Sequence, residues 1–210
     1  YTTLFRSTIT ETTFGGRPEL EDSTGMLDYG SLIYITLQRA KTAREAIDVM
    51  TGLIEKYGYK SSGESFTLAD KEEAWIMELI GKGPGRKGAV WVAVRIPDDC
   101  IAAHANQSRI HPFPLNDKDN CIYSPDVISF AREKGYFDGL NKDFSFADAY
   151  CPLDFGGLRA CEARVWSFYN MFNKSIGTAY LPYIQGQSKG PMPLYIKPTN
   201  KVSVREIQQA

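Results

Sequence analysis

Apolar residues recur at helical spacing in the first third of the chain. They predict one helix from about Asp28 to Ala40 and a second helix that begins after Thr42 and ends at Gly58. Thr42 and Glu45 fit a capping box, in which each side chain satisfies a backbone N–H group at the helix start. Each helix carries a single apolar stripe, so we expect both helices to cover a flat surface.

The pattern then changes to short β-prone segments, which supply such a surface. Five segments are interpreted as strands: Thr8–Phe14, Glu64–Ala69, Ala74–Leu79, Ala89–Ile96 and Cys100–Ala105. The last four follow one another through short turns, so we expect a four-stranded antiparallel meander. The glycine-rich stretch Gly81–Gly88 is interpreted as a hairpin loop, because it lacks the spacing of a phosphate-binding loop and a strand follows it.

The second half of the chain is less regular. Ser124 and Pro125 predict a capped helix start and a helix that runs to Gly135, and Gly156–Asn173 predicts a long helix. Leu140–Phe155 has no clear periodicity. Tyr180–Pro198 is interpreted as a loop or short strand, and Ser203–Glu206 as the capped start of a short helix. Helices in one block and strands in another predict an α+β fold.

Composition narrows the class of protein only a little. The chain has 210 residues, of which 43% are apolar and 23% charged, as is ordinary for a globular domain. A net charge of −1 gives no electrostatic reason to expect a nucleic acid or an anionic membrane as partner. No apolar run approaches the roughly 20 residues of a membrane span. The four cysteines are unclustered and are expected to be free thiols.

Both ends of the chain are interpreted as cut. Tyr1–Ser7 (YTTLFRS) resembles the translation of a sequencing-adapter oligonucleotide, so we expect residues 1–7 to be non-native and residues 8–210 to form a partial domain. At the other end, only four residues follow the capping pattern at Ser203–Glu206, and so short a helix is marginal in water. A domain without all its strands would expose unpaired edges, which predicts a possible homo-oligomer.

Polar groups suited to amide chemistry stand where predicted elements end. Asn106 offers a neutral amide donor of the kind that stabilises an oxyanion, and Thr13 and Phe14 end the first strand. Arg159 and Arg164 lie on the long helix, where an arginine binds a carboxylate or orients a reacting group. The alternatives are a strand end capped by hydrogen bonds for Asn106 and an ion pair for Arg164.

A metal centre and a side-chain nucleophile are both poorly supported. Cys100, His104, His111 and Cys121 are the possible zinc ligands, but their spacing is irregular, so no metal or other cofactor is expected. We expect His104 to be hydrogen-bonded in the sheet instead. No cysteine has a convincing base partner, and the residues alone therefore indicate a set of donors without an attacking group.

Six segments together resemble a known family: TETTFGGRPE, DYGSLIYITLQRAKTAREAI, YKSSGESFTLAD, AWIMELIGKGPGRKGAVWVAVRIPDD, AHANQSRI and DFGGLRACEARVWSFYNMFN. They resemble the C69 family of bacterial dipeptidases. These are N-terminal-nucleophile hydrolases, related to the bile-salt hydrolase and penicillin V acylase group. The resemblance covers Thr8–Ala210.

The resemblance implies a fold and a site. The fold would be an αββα sandwich, and the nucleophile an N-terminal cysteine upstream of this chain whose own α-amino group serves as base. This chain alone is therefore expected to be inactive. By this resemblance, Asn106 matches the strand-end asparagine that donates to the oxyanion. Phe14 matches the residue whose backbone N–H completes the oxyanion hole, and Arg164 matches the arginine near the nucleophile. Thr13 stands where the related acylases have asparagine.

The substrate implied by the resemblance is a dipeptide. Arg109 and Arg159 are the candidate substrate-binding residues. Two alternatives stay open: the same fold acting on non-peptide amides, such as conjugated bile salts or penicillins, and a non-catalytic module that binds peptides. The compartment of a bacterial protein of this kind, cytoplasmic or exported, is not fixed by the sequence.

Overall fold

The structure is a computed structural model that describes residues 7–209. The predicted non-native segment therefore lies outside the described residues, apart from Ser7. The strands of the described chain are β1 (Thr8–Gly15), β2 (Gly63–Ala69), β3 (Ala74–Gly81), β4 (Ala89–Ile96), β5 (Ile101–Ala102), β6 (Cys121–Tyr123) and β7 (Tyr195–Ile196). Five of them form an antiparallel sheet in the order β1-β2-β3-β4-β6.

The α-helices of the described chain lie between β1 and β2, where there are two, and after β6, where there are five. They are α1 (Tyr29–Arg39), α2 (Ala43–Tyr57), α3 (Val127–Glu133), α4 (Phe146–Tyr150), α5 (Ala163–Phe172), α6 (Lys174–Ile184) and α7 (Val204–Gln209). A π-helical segment, Gly157–Glu162, leads directly into α5. No helix among residues 7–209 has both the length and the apolar composition that crossing a membrane requires.

The first two helices begin and end as their sequence predicts. Asp28 caps α1 by accepting a hydrogen bond from the Ser31 N–H at 2.7 Å. Thr42 caps α2 by accepting from the Glu45 N–H at 3.1 Å, and Gly58 ends that helix with a φ of +78°. The side chain of Glu45 accepts from the Lys41 N–H at 2.8 Å. The two predicted helices are confirmed.

The apolar stripes of α1 and α2 pack on one face of the sheet. They bury Phe66, Trp75 and Met77. The other face of the sheet, with Ile76 and Val92, packs against α3, α4 and the short β5–β7 pair. The far side of that pair contacts α5 and α6. Helices thus lie over both faces of an antiparallel sheet, which is compatible with the predicted α+β class.

The predicted four-strand meander is correct for three strands and wrong for the fourth. Of Cys100–Ala105, only Ile101–Ala102 is a strand, and it pairs with β7 in a separate two-stranded sheet. The place beside β4 is taken by β6, and the outer edge of β1 pairs with no strand of residues 7–209. Alternating side chains indicate a strand but not the sheet that it joins. Self-association through exposed edges stays a prediction.

Two boundaries in the second half also differ from their predictions. The helix predicted from Ser124 begins at Val127, because the Ser124 hydroxyl accepts from the Trp91 N–H at 3.2 Å instead of capping the helix. Tyr180–Ile184, predicted as loop, belongs to α6 despite Pro182. Tyr183 and Ile184 are buried against α5 there, and this packing outweighs the helix-breaking tendency of proline.

Candidate functional site

The first strand ends in a β-bulge that sets the geometry of the site. The pairing of β1 with β2 shifts between Thr13 and Gly15, so Phe14 has no cross-strand partner in that ladder. The Phe14 ring occupies space that is open because Gly63 has no side chain; a Cβ there would lie 2.0 Å from the ring. Gly15 and Gly16 then turn the chain away with φ values of +74° and +82°.

Asn106 lies beside this bulge in a backbone conformation that few residues adopt. Its φ is +57°, and no other non-glycine residue among residues 7–209 has a positive φ. The side-chain Nδ2 donates to the Thr13 carbonyl oxygen at 2.7 Å. Its Oδ1 accepts from Arg164 at 2.9 Å. Because one neighbour is an acceptor and the other a donor, the orientation of the amide is determined. Backbone strain of this kind concentrates at functional sites.

Arg164 connects Asn106 to the helix that follows the π-helical segment. Its Nη2 donates to Asn106 Oδ1 and, at 3.0 Å, to the Ala105 carbonyl, while its Nε donates to the Ala160 carbonyl at 2.6 Å. Ala160 belongs to the π-helical segment, a rare form of helix that is frequent at functional sites. The structure therefore brings together Thr13, Asn106 and Arg164, which are far apart in the sequence.

A solvent-exposed cleft opens where these elements meet. It has a volume of about 410 Å³, and its lining includes Phe14, Gly16, Asn106, Gln107, Cys151 and Cys161. A primary amide carries two N–H groups, and one of those on Asn106 is used by Thr13. Within residues 7–209 the second N–H has no acceptor, so it can donate to a ligand in the cleft. Such a neutral donor can stabilise negative charge on a reacting carbonyl oxygen.

The other two predicted arginines do not line this cleft. Arg109 is 1% exposed, and its guanidinium donates to Glu162 at 2.7 Å, to Tyr169 and to the carbonyls of a neighbouring loop. These buried partners occupy the groups that a substrate carboxylate would need. Arg159 is exposed, donates to the Ile184 carbonyl at 3.1 Å and lies over the Phe155 ring.

The histidines are engaged away from the cleft. His104 Nδ1 lies 2.6 Å from the Thr12 hydroxyl and its Nε2 lies 2.7 Å from the Thr67 hydroxyl, so both ring nitrogens are used. Burial, with a smaller effect of Arg109, lowers the pKa of His104 to about 4. This confirms the hydrogen-bonded role expected for His104. His111 Nδ1 lies 3.2 Å from the Ser145 hydroxyl.

Two cysteines line the cleft, but neither is paired with a histidine in the contacts above. The Cys151 thiol donates to the Phe14 carbonyl at 3.6 Å and accepts from Gln107 Nε2 at 3.3 Å. Burial raises the pKa of Cys151, which disfavours the reactive thiolate. The described residues thus supply donors around the cleft, as the sequence indicated, rather than an activated thiol.

Sequence analysis missed Glu78, which fixes the chain that follows Asn106. This buried carboxylate accepts from the Ser108 hydroxyl and from the backbone N–H groups of Arg109 and Ile110. Burial raises the pKa of Glu78, while these donors act in the opposite direction. The available signal was a single glutamate inside an otherwise apolar strand, AWIMELIG.

Comparison with known proteins gives a family and several relatives. The model of peptidase family C69 matches residues 2–210. A probable dipeptidase of Salmonella dublin is 30% identical over 208 residues, which cover 96% of this chain and 44% of that protein. A probable dipeptidase of Latilactobacillus sakei is 26% identical, and the match covers 85% of this chain and 34% of that protein. Dipeptidase A of Lactobacillus helveticus is 25% identical, and the match covers 93% of this chain and 38% of that protein. The chain thus spans less than half the length of these relatives.

Proposed function

We propose, from the premise that this chain belongs to peptidase family C69, that it supplies the oxyanion-stabilising part of a dipeptidase. The names of its relatives support a dipeptide as the substrate. The single observation that carries the proposal is the Asn106 amide. It is oriented from both sides, by the Thr13 carbonyl and by Arg164, and one of its N–H groups remains for a ligand in the cleft.

In the proposed reaction, a cysteine thiolate attacks the carbonyl carbon of the dipeptide bond. The carbonyl oxygen becomes negatively charged and accepts hydrogen bonds from Asn106 Nδ2 and the Phe14 backbone N–H. The bond to nitrogen then breaks, the released amine takes a proton, and a thioester forms. Water hydrolyses the thioester through a second oxyanion that the same donors stabilise.

The attacking group in this proposal is the N-terminal cysteine of the mature enzyme, outside residues 7–209. Its α-amino group accepts the thiol proton and later delivers it to the leaving amine. This assignment agrees with the surroundings of Cys151, whose thiol is buried and bonded to Phe14 and Gln107. Both histidines contact other side chains, so neither is assigned as a base.

The remaining predicted residues receive different tasks. Arg164 positions the amide of Asn106 through Oδ1, and Thr13 does so through its carbonyl. Arg159 is exposed and remains a candidate for binding the substrate carboxylate. We assign Arg109 a structural role instead, because both partners of its ion pair with Glu162 are buried, with side chains 1% and 4% exposed.

We further propose that the layers described here belong to an αββα sandwich of the N-terminal-nucleophile type. The order of helices, five-stranded sheet, β5–β7 pair and helices supports this proposal. In this arrangement Asn106 follows β5 of the second sheet and Phe14 lies near the end of β1 in the first, so the proposed oxyanion donors come from both sheets.

A substrate panel tests the function. The complete polypeptide with its N-terminal cysteine would be offered dipeptides, glycine- and taurine-conjugated bile salts and penicillin V, and amine release would be measured. We expect release from the dipeptides. Release only from the bile salts or penicillin V would make the protein an amidase of another specificity. Binding without release from any substrate would support a peptide-binding module and contradict the proposal.

A further inference from the structure

Two glutamates lie side by side beneath the strand end that holds Asn106. Thr13 of β1 pairs with Glu64 of β2, and Glu11 of β1 pairs with Phe66, so Glu11 and Glu64 are diagonal neighbours on one face of the sheet. This is the face covered by α1 and α2. Glu64 is 0% exposed. Sequence analysis assigned no role to Glu11 or Glu64.

The contacts of Glu64 are unusual for a buried carboxylate. Its Oε1 accepts from the Thr13 hydroxyl at 2.8 Å, whereas its buried Oε2 has no hydrogen-bond partner among the described residues. Glu11 is the carboxyl group diagonal to Glu64 on this face of the sheet, and its proximity contributes to raising the pKa of Glu64. Two carboxylates cannot bond to each other, but a carboxyl group and a carboxylate can share one proton. A proton on Glu64 would satisfy the pair.

The charges around Glu64 favour that shared proton. Burial, together with the neighbouring Glu11, raises the pKa of Glu64 to about 8. In the connection before β2, the buried phenol of Tyr59 donates to the Ser62 carbonyl at 3.1 Å, and burial together with the two glutamates raises its pKa. On β3, the residue paired with Glu64 is the uncharged Leu79. The neighbouring cation Lys60 lies near Asp28, with 3.9 Å between their charged atoms.

Thr13 connects this acidic pair to the cleft. Its hydroxyl donates to Glu64, and its carbonyl oxygen accepts from Asn106 Nδ2 at 2.7 Å. A displacement of Thr13 therefore changes the orientation of the amide that we assign to the oxyanion. A chain of contacts runs from Glu11 through Glu64, Thr13 and Asn106 to Arg164.

We propose that Glu64, in its neutral form and sharing a proton with Glu11, is a positioning residue that holds Thr13 and thereby aims the Asn106 amide into the cleft. This inference rests on the proposed function only for the assignment of Asn106 as oxyanion donor. Loss of the proton places two negative charges next to each other in a buried site. Their repulsion and the cost of desolvation then separate β1 from β2 at Thr13 and loosen the Asn106 contact.

A spectroscopic titration tests this coupling without any turnover. The ¹³Cγ resonance of Asn106 would be followed in the labelled 210-residue chain over a pH range centred on the pKa of Glu64, and assigned with Asn106→Ala. We expect the resonance to shift with a midpoint near pH 8. In Glu64→Gln it should keep its low-pH position throughout, because glutamine can accept from Thr13 and donate to Glu11.

Two further variants complete the test. Thr13→Val removes the hydroxyl that joins Glu64 to the strand end, so the Glu64 carboxyl should still titrate while the Asn106 resonance stops following it. Glu21→Gln changes an exposed glutamate and should leave the titration unchanged. An Asn106 resonance that is constant across the range in the wild-type chain, or one that shifts equally in Glu64→Gln and Thr13→Val, would overturn the inference.

The outcome is separable from that of the proposed function. A titrating Asn106 resonance in a protein that hydrolyses no dipeptide would refute the dipeptidase proposal and leave the coupling intact. Dipeptide hydrolysis with a resonance that does not titrate would refute the role of Glu64 and leave the dipeptidase proposal intact.

Discussion

The two faces of the five-stranded sheet each bury one glutamate, and the two carboxyl groups differ in how many hydrogen-bond donors surround them. Glu78 accepts from two serine hydroxyls and two backbone N–H groups. Glu64, one strand away on the opposite face, accepts from the Thr13 hydroxyl and lies beside Glu11. A buried carboxyl group is stabilised either by several donors or by keeping a proton. Burial raises the pKa of both groups, but four donors oppose this effect at Glu78, whereas only the Thr13 hydroxyl of the described chain opposes it at Glu64.

The two glutamates also support different parts of the cleft. Glu78 fixes the backbone that follows Asn106, whereas Glu64 fixes Thr13, which accepts from the Asn106 side chain. We therefore expect Glu78 to matter most for stability and Glu64 for the pH dependence of stability and of the site. Three substitutions test this difference.

The largest effect is expected from Glu78→Ala. The change removes the acceptor of two backbone N–H groups and two serine hydroxyls in a buried place, and each group left without an acceptor costs about 1–3 kcal/mol. We expect the free energy of unfolding to fall by about 3–5 kcal/mol, measured by urea denaturation at neutral pH. Glu55→Ala, on an exposed position of α2, is the control and should change it by less than about 0.5 kcal/mol. A small loss in Glu78→Ala would show that water replaces the carboxylate.

A pH-dependent effect is expected from Glu64→Gln. Glu64 binds its proton more tightly in the folded chain, with a pKa of about 8, than at the ordinary glutamate value of 4.5. Unfolding therefore releases a proton between these pH values, and the stability that Glu64 contributes below pH 4.5 is lost as the pH rises through 8. Relative to the wild type, Glu64→Gln should gain up to about 1.4 kcal/mol per pH unit in this window.

Denaturation of both proteins at several pH values measures this difference. The comparison isolates Glu64 and the groups that it affects directly, because titrating groups elsewhere are common to the two proteins. Parallel curves for the wild type and Glu64→Gln would mean that Glu64 is ionised in the folded chain, as a carboxylate with sufficient donors would be.

The smallest effect is expected from Glu11→Gln. Burial is the main cause of the raised pKa of Glu64, and the Glu11 carboxylate adds to it. Removing that charge should therefore lower the pKa of Glu64 while leaving it above the ordinary value, as measured by ¹³C titration of the Glu64 carboxyl carbon. The associated change in stability should be at most about 1 kcal/mol. An unchanged pKa in Glu11→Gln would exclude proton sharing between the two glutamates.

Local features of the fold could be predicted from the sequence because local rules decide them. The caps at Asp28 and Thr42 and the strand Ala89–Ile96 lie where their sequence indicated. Cys100–Ala105 could not be placed, because a short strand of small residues fits either sheet and the choice depends on β7, almost one hundred residues away. Tyr180–Ile184 differs from its prediction because tertiary packing outweighs the local signal from Pro182.

Some residues of the candidate site could likewise be predicted from the sequence, and others could not. Asn106, Thr13 and Arg164 could be proposed from residue chemistry and family resemblance, and the structure brings the three together. The burial of Arg109 could not be foreseen, since a strand-end arginine is usually exposed and its partner Glu162 is 53 residues away. The roles of Glu64 and Glu78 also depend on cross-strand neighbours, and no local pattern records these contacts.

The central claim, that the Asn106 amide stabilises the oxyanion of dipeptide hydrolysis, is tested most directly by the kcat of Asn106→Ala. The complete polypeptide with its N-terminal cysteine would be compared with this variant and with Asn200→Ala, an exposed asparagine on another surface of the protein. Losing one such donor lowers kcat by about 10²–10³-fold, so we predict this loss for Asn106→Ala and none for Asn200→Ala. An unchanged kcat in Asn106→Ala would contradict the account.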